Sequence, residues 1–219
     1  MTELHADRYH GGLRIAALAS WAVGVAIVYL LGQLIWNLVV GPVVGGGILV
    51  LGVAAVFLAQ PLALWAEKQL LTLWPSGRAV QLETGKLTLR EKSASVRLDL
   101  GQKVNYWRWR FEVRNRRGGR VPNGHFCFAL RLVQGDTAVS LYAFLSPDQA
   151  RATVARYPFY DLRPSADKNK ATLGGRDAIY LSAERERWDS GAELDPSDFG
   201  RLLAHLGAHL PDFSASPNS

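Results

Sequence analysis

The chain has 219 residues, a formal net charge of +6 and a single cysteine, Cys127. One thiol excludes a disulfide-stapled fold and a cysteine-ligated zinc or iron–sulfur centre, and 48% hydrophobic content excludes a disordered chain. A mean hydropathy near zero conceals two populations. The first 66 residues are mostly lipid-soluble, and the remainder has the composition of one water-soluble domain.

In chain order, residues 1–12 read as an N-terminal tail carrying His5 and His10. Two apolar runs follow, Leu13 to Val40 and Val43 to Ala66, split by a Gly-rich turn around Gly41-Pro42 and Gly45-Gly46-Gly47. Each run is long enough to cross a bilayer, because ~20 helical residues span the ~30 Å hydrocarbon layer. Residues 13–66 are therefore expected to form a two-helix transmembrane hairpin. The first run far exceeds the ~7–15 residues of a signal h-region, and its Ala17-x-Ala19 lies at its start, so a cleaved signal peptide is not expected. Arg8 precedes the hairpin and Arg14 lies at its very start, Lys68, Arg78, Lys86 and Arg90 follow it, and the turn is uncharged. By the positive-inside rule both termini belong in the cytoplasm. Trp21, Trp36, Trp65 and Trp74 lie towards or beyond the ends of the runs, where indole rings favour the interface.

Within the hairpin, Ser20 with Gly24, Ala22 with Ala26, and Gly52 with Ala55 and Ala59 make small-residue stripes suited to close helix approach. Gln60 and Ser20 fall at similar depth and are expected to bond to each other. Gln33 and Asn37 share a face on the outer half of the first helix, where the second helix offers no polar side chain. An amide in hydrocarbon needs a partner. Two readings stand: both amides face another subunit or a second copy of this chain, or Asn37 sits among headgroups and Gln33 alone needs a partner.

The soluble domain is expected over residues 67–210, with 211–219 as a flexible tail. Val80 and Leu82, Leu87 and Leu89, Val96 to Leu100, Phe126 to Leu132 and Val139 to Leu145 alternate with polar residues. Between them Trp107, Trp109, Phe111 and Val113 share one face, opposite Tyr106, Arg108, Arg110, Glu112 and Arg114. Such alternation reads as half-buried antiparallel strand, and six strands make a small sandwich or barrel. Ser146-Pro147-Asp148-Gln149 is a capping box that opens a helix to about Arg156, where Pro158 stops it. Asp195-Pro196 opens a second, amphipathic helix over Phe199, Leu202, Leu203, Leu206 and Leu210. Pro164 to Asp177 reads as a long loop, Ile179 to Leu181 as a strand, and Ser182 to Leu194 as a charged link.

Two membrane helices, a β-rich domain, the segment Ala178-Ile179-Tyr180-Leu181 and the final helix together resemble bacterial membrane proteins with pleckstrin-homology-like (PH-like) domains. The link Ser182 to Leu194 lacks the short proline-basic stretch of that pattern, and the insertion at Pro164 to Asp177 is longer. The resemblance implies a cytoplasmic α+β binding or scaffolding module on the bacterial inner membrane, and it carries no catalytic residue.

Seven basic residues lie between Lys103 and Arg120 (Lys103, Arg108, Arg110, Arg114, Arg116, Arg117, Arg120) against one acid, Glu112. Arg108, Arg110 and Arg114 are expected to point away from the tryptophan face, with Arg116, Arg117 and Arg120 on the loop beyond. Juxtamembrane cations are worth ~1 kcal/mol each near an anionic leaflet, and guanidinium also grips carboxylates with two bonds. Membrane lipid, an acidic protein partner, or a merely solvated hairpin that protects an edge strand are all consistent with this pattern. Nucleic acid is not, since the tryptophans are expected in the core. His205 and His209, four apart on a helix, have metal-ligand spacing but no third ligand nearby. No phosphate-binding loop or nucleophile elbow is present, so neither enzyme nor cofactor is expected. The expected function is an anchored binding or scaffold protein; the alternative is an accessory subunit of a multi-subunit membrane complex, met through the transmembrane helices.

Overall fold

The computed structural model describes residues 2–7, 11–42, 45–74, 76–91, 94–114, 121–162 and 176–214. The chain divides into two compact units, Met1–Asp7 with Gly77–Ser219 and, inserted between them, Arg8–Ser76. The inserted unit is a helical hairpin; the other is an α+β domain of two sheets that ends in a helix.

The hairpin consists of α1 (Gly11–Val39) and α2 (Gly46–Leu73). Both are long and apolar enough to cross a membrane. Between them Gly41 (φ 111°) and Gly45 (φ 56°) take the left-handed conformations that a Cβ resists, and this is why the turn is glycine-rich. Helix contact runs through part of the expected small residues: Gly24 is buried, Ala55 and Ala59 are 1% and 0% exposed, and a Cβ added at Gly24 would stand 3.6 Å from that of Ala59, whereas a Cβ at Gly52 would meet nothing within 4 Å. Ala22 and Ala26 are exposed instead. Four residues advance a helix by 400°, so Ala22 and Ala26 share a side, and that side is not the one carrying Gly24.

The domain begins with an unforeseen strand. Thr2–Ala6 is β1, and it pairs antiparallel with β2 (Arg78–Glu83), from Thr2↔Leu82 to Ala6↔Arg78. The expected N-terminal tail is thus in part an edge strand, because Leu4 and Ala6 alternate with polar neighbours and bury to 0% and 1%. β3 (Lys86–Arg90) and β4 (Ser95–Asp99) complete a four-stranded sheet in the order β1-β2-β3-β4. The second sheet is a meander of β5 (Asn105–Glu112), β6 (Phe126–Gln134) and β7 (Thr137–Leu145). Two-residue parallel strands flank it, β8 (Tyr160–Asp161) beside β5 and β9 (Ala192–Glu193) beside β7.

Helix α3 (Pro147–Arg156) starts at Ser146, whose side chain accepts from the Gln149 amide while the Gln149 side chain accepts from the Ser146 amide. Helix α5 (Pro196–His209) follows the Asp195 N-cap and buries Phe199, Leu202, Leu203 and Leu206. These leucines join Val80, Leu87, Leu89 and Leu98 of the first sheet and Phe128, Leu130, Leu141 and Ala143 of the second in one core.

Two expectations are corrected here. Ile179 to Leu181 and most of the charged link form helix α4 (Arg176–Ser190), whose Tyr180, Ala183 and Arg187 lie buried on one side. The run Ala-Ile-Tyr-Leu has strand-like composition, and packing overrides that local preference. Pro211 to Ser214 are not a loose tail either: Phe213 is 1% exposed and packs on Tyr106 and Tyr157, ring centroids 5.2 and 5.8 Å away. The expected loop at Pro164 to Asp177 lies outside the described residues up to position 175.

Candidate functional site

The second sheet is covered on both sides, and this decides which arginines reach solvent. Alternation along β5 sends Trp107, Trp109 and Phe111 to the side covered by α4, where Trp109 packs with Ala129, Tyr180 and Ala183. The opposite side of β5, expected to be solvated, faces the main core. Arg108 is consequently 3% exposed. Its guanidinium lies 4.8 Å from the Phe213 ring centroid, 5.4 Å from that of Tyr106 and 5.9 Å from that of Phe159, and it donates to the Phe213 carbonyl. Burial lowers its pKa from the ordinary guanidinium value, against the opposing pull of Tyr106 and Tyr180. Arg108 is a buried link to the C-terminal segment and is withdrawn from the expected binding surface. Arg108→Ala will cost the domain about 2–3 kcal/mol, the scale for hydrogen bonds to a charged group. Chemical denaturation of the full chain in detergent checks this.

Arg110 is half-buried beside Asp161, at 3.9 Å, and the Phe126 ring. Arg114 is the exposed member, 68% accessible, and its Nε donates to Glu112 at 2.7 Å. Arg116, Arg117 and Arg120 lie outside the described residues.

Two polar clusters escaped the sequence analysis. Under α4, Glu184 accepts from the Trp109 indole at 2.8 Å and from Arg187 at 2.8 and 2.7 Å. Arg187 is 3% exposed and its guanidinium sits 4.4 Å from the Tyr142 ring centroid. Burial works against its charge, yet the Glu184 bonds prevail and its pKa is raised. Arg131, 2.5 Å from Glu186, ties the same helix to β6. The second cluster joins the strands on either side of the inserted hairpin. Arg78 donates to Asp7 and to Glu91, each at 2.6 Å, and to the carbonyls of Ser190 and Gly191 at 3.0 and 3.3 Å. Asp7 in turn exchanges backbone and side-chain bonds with Glu193 at 2.7 and 2.9 Å. Desolvation by burial works against the Arg78 charge, but the Asp7 and Glu91 carboxylates outweigh it and its pKa is raised. Contacts spanning 71 and 113 positions leave no local pattern to read.

On the hairpin, Ser20 donates to the Ala16 carbonyl of its own helix at 2.8 Å, not to Gln60, which is exposed. Gln33 is half-buried; Asn37 is exposed, with an interaction of its own.

The His205 and His209 rings lie 4.4 Å apart between centroids, tilted by 37°. Among the described residues no group of three His, Cys, Asp or Glu side chains has the arrangement of a metal site. Desolvation lowers the His205 pKa, His209 lowers it further, and backbone contacts at Lys86 and Glu83 oppose. The unfolded chain takes up this proton near pH 6.5, and the folded chain only at lower pH. Stability is therefore full above that value and falls as the pH drops from it towards the folded pKa. His205→Gln will flatten this dependence in denaturation curves recorded between about pH 7.5 and 5.5.

Comparison with protein families, with curated proteins and with solved structures finds no match for this chain.

Proposed function

We propose that the chain is a non-enzymatic, membrane-anchored binding or scaffold protein. Its hairpin crosses the bacterial inner membrane, both termini lie in the cytoplasm, and its PH-like domain engages anionic lipid or an acidic partner through the basic segment from Arg114 to Arg120. The observation that carries this reading is the pairing of β1 with β2. Strands on either side of an inserted apolar hairpin are hydrogen-bonded neighbours, so both ends of that hairpin return to one domain and hence to one face of the membrane. The basic residues flanking the hairpin, with none in its turn, favour the cytoplasmic face. A PH-like reading is supported by the four-stranded sheet followed by the β5-β6-β7 meander and a closing helix. Arg114, with Arg116, Arg117 and Arg120 after it in sequence, supplies the excess positive charge.

Two measurements test the proposal. A reporter fused after Ser219 is expected on the cytoplasmic side; an external reporter overturns the topology. Phosphatidylglycerol added to the full chain in detergent is expected to raise its melting temperature more than phosphatidylcholine does. Replacing Arg114, Arg116, Arg117 and Arg120 by Ser should abolish the difference, and an unchanged difference removes that basic segment as the lipid site.

A second reading, accessory subunit of a larger membrane complex, is favoured by Gln60, an exposed amide on an otherwise apolar helix face. Stoichiometric co-purification of larger subunits in mild detergent supports it, and a lone monomer or homodimer counts against it.

A further inference from the structure

Gln60 lies where a membrane-spanning helix can least accommodate an amide. The apolar span of α2 is Gly46–Leu71, so its midpoint falls between Leu58 and Ala59, and at ~1.5 Å per residue Gln60 is within ~3 Å of it. The nearest headgroups are then more than ~10 Å away, beyond the reach of a glutamine side chain. The hairpin supplies no partner of its own. Gln60 is turned ~100° from Ala59 and ~140° from Ala55, the residues buried against α1. Gly24 marks the depth at which α1 meets Ala59, and from Ala22 to Val28 that helix carries no polar side chain. Among the described residues no hydrogen bond satisfies the Gln60 amide. A second polar group lies in the same turn: Pro61 is inside α2 and, having no N–H, leaves the Phe57 carbonyl without its usual helical donor.

Gln60 also belongs to a regular seam. Leu49, Val53, Val56, Gln60 and Ala63 recur at alternating intervals of four and three, the spacing of a left-handed helix pair. This seam is not the one against α1, and Leu49, Val53 and Val56 on it are exposed. Valine and alanine side chains are short enough to let two backbones approach. Glu67, the next position, is ~13 Å from the midpoint, among the headgroups and beside Lys68.

We propose that this seam pairs two copies of the chain, α2 against α2, with their Gln60 amides bonded to each other across a two-fold axis along the membrane normal. The inference rests on the membrane-spanning reading of the hairpin, and it gives Gln60 a second copy in place of a larger subunit. Depth is what favours a copy. Chains inserted in the same orientation carry Gln60 at the same depth, so a two-fold axis brings amide to amide with no further matching. A side-chain amide is both donor and acceptor. The pair therefore exchanges two reciprocal hydrogen bonds, and each amide keeps a second N–H, with the Phe57 carbonyl as an acceptor in the same turn. One polar position in an otherwise apolar seam also fixes the register of the pair.

The test uses the full chain with buried Cys127 replaced (Cys127→Ala), reconstituted alone in liposomes so that no other protein can supply the contact. Val53→Cys and Val56→Cys place a thiol on the seam, and Leu58→Cys places one ~160° away from Gln60 around α2. Under copper-phenanthroline oxidation, disulfide-linked dimer is expected at 53 and 56 and not at 58. Gln60→Leu should cut the dimer yield by about fivefold or more, with helix content unchanged by circular dichroism. Gln60→Asn, which keeps an amide, should preserve most of the yield. No dimer at 53 and 56, equal dimer at all three positions, or a yield that Gln60→Leu leaves unchanged overturns the proposal. The membrane reading is tested separately in nanodiscs, where a water-soluble maleimide should label Arg151→Cys on α3 and spare Leu58→Cys. Equal labelling of the two overturns the membrane reading itself, whereas a spared Leu58→Cys without seam dimer overturns the pairing alone.

Discussion

A soluble chain in which Asp7 is joined directly to Gly77 will fold, and a fragment that begins at Gly77 will be less stable by at least ~3 kcal/mol. Ala6 and Arg78 are partners across β1 and β2, so deleting residues 8–76 leaves Asp7-Gly77 as a two-residue hairpin loop. Asp-Gly is a preferred type I′ sequence, which needs positive φ at both positions. Asp7 already has φ 52° and Gly77 φ 76°. The apolar hairpin therefore occupies the place of a tight turn. The fragment without residues 2–7 loses Leu4, which is fully buried, and buried Ala6. It also leaves β2 as a bare edge, prone to pairing with other chains, and takes Asp7 from Arg78. Large-to-small changes at a buried leucine alone cost about 2–5 kcal/mol. Urea denaturation of the two soluble chains compares them, and equal midpoints would refute a structural role for β1.

Trp109→Ala will lower stability by about 3–5 kcal/mol, the range for emptying a buried aromatic site. Trp109 is 0% exposed, stands 6.4 Å from the Tyr180 ring and donates to Glu184. Its removal opens a void between β5 and α4 and deprives a carboxylate, already shared with Arg187, of one donor. Trp109→Phe keeps most of the volume and loses the N–H, so it should cost about 1–3 kcal/mol. In the Glu184→Gln background the Phe substitution should cost less, because the acceptor is no longer charged. Circular dichroism during denaturant titration gives all four stabilities. Costs that are the same in both backgrounds would show that the indole does not stabilise Glu184.

Much of the candidate site was hidden for one reason. Alternation in β5 correctly separates Trp107, Trp109 and Phe111 from Arg108 and Arg110, but it does not say which side is covered. The sheet is covered on both. Aromatic rings around Arg108 come from residues 106, 159 and 213, and only folding assembles them. Helix α4 escaped because its buried side consists of Tyr180, Ala183, Glu184 and Arg187, with too few large apolar residues to give a helical period.

Local chemistry determined the rest from sequence alone: two long apolar helices with a glycine turn, six alternating strands, the Ser146 capping box and the amphipathic final helix. Each depends on residues within a few positions of one another, which composition and period can register. Tertiary structure decided what the two ends of the chain do. Leu4 and Phe213 look like parts of loose tails until distant strands surround them, and Asp7 finds Arg78 across 71 positions. Burial and ion pairing are properties of the assembled neighbourhood, so no reading of the adjacent residues contains them.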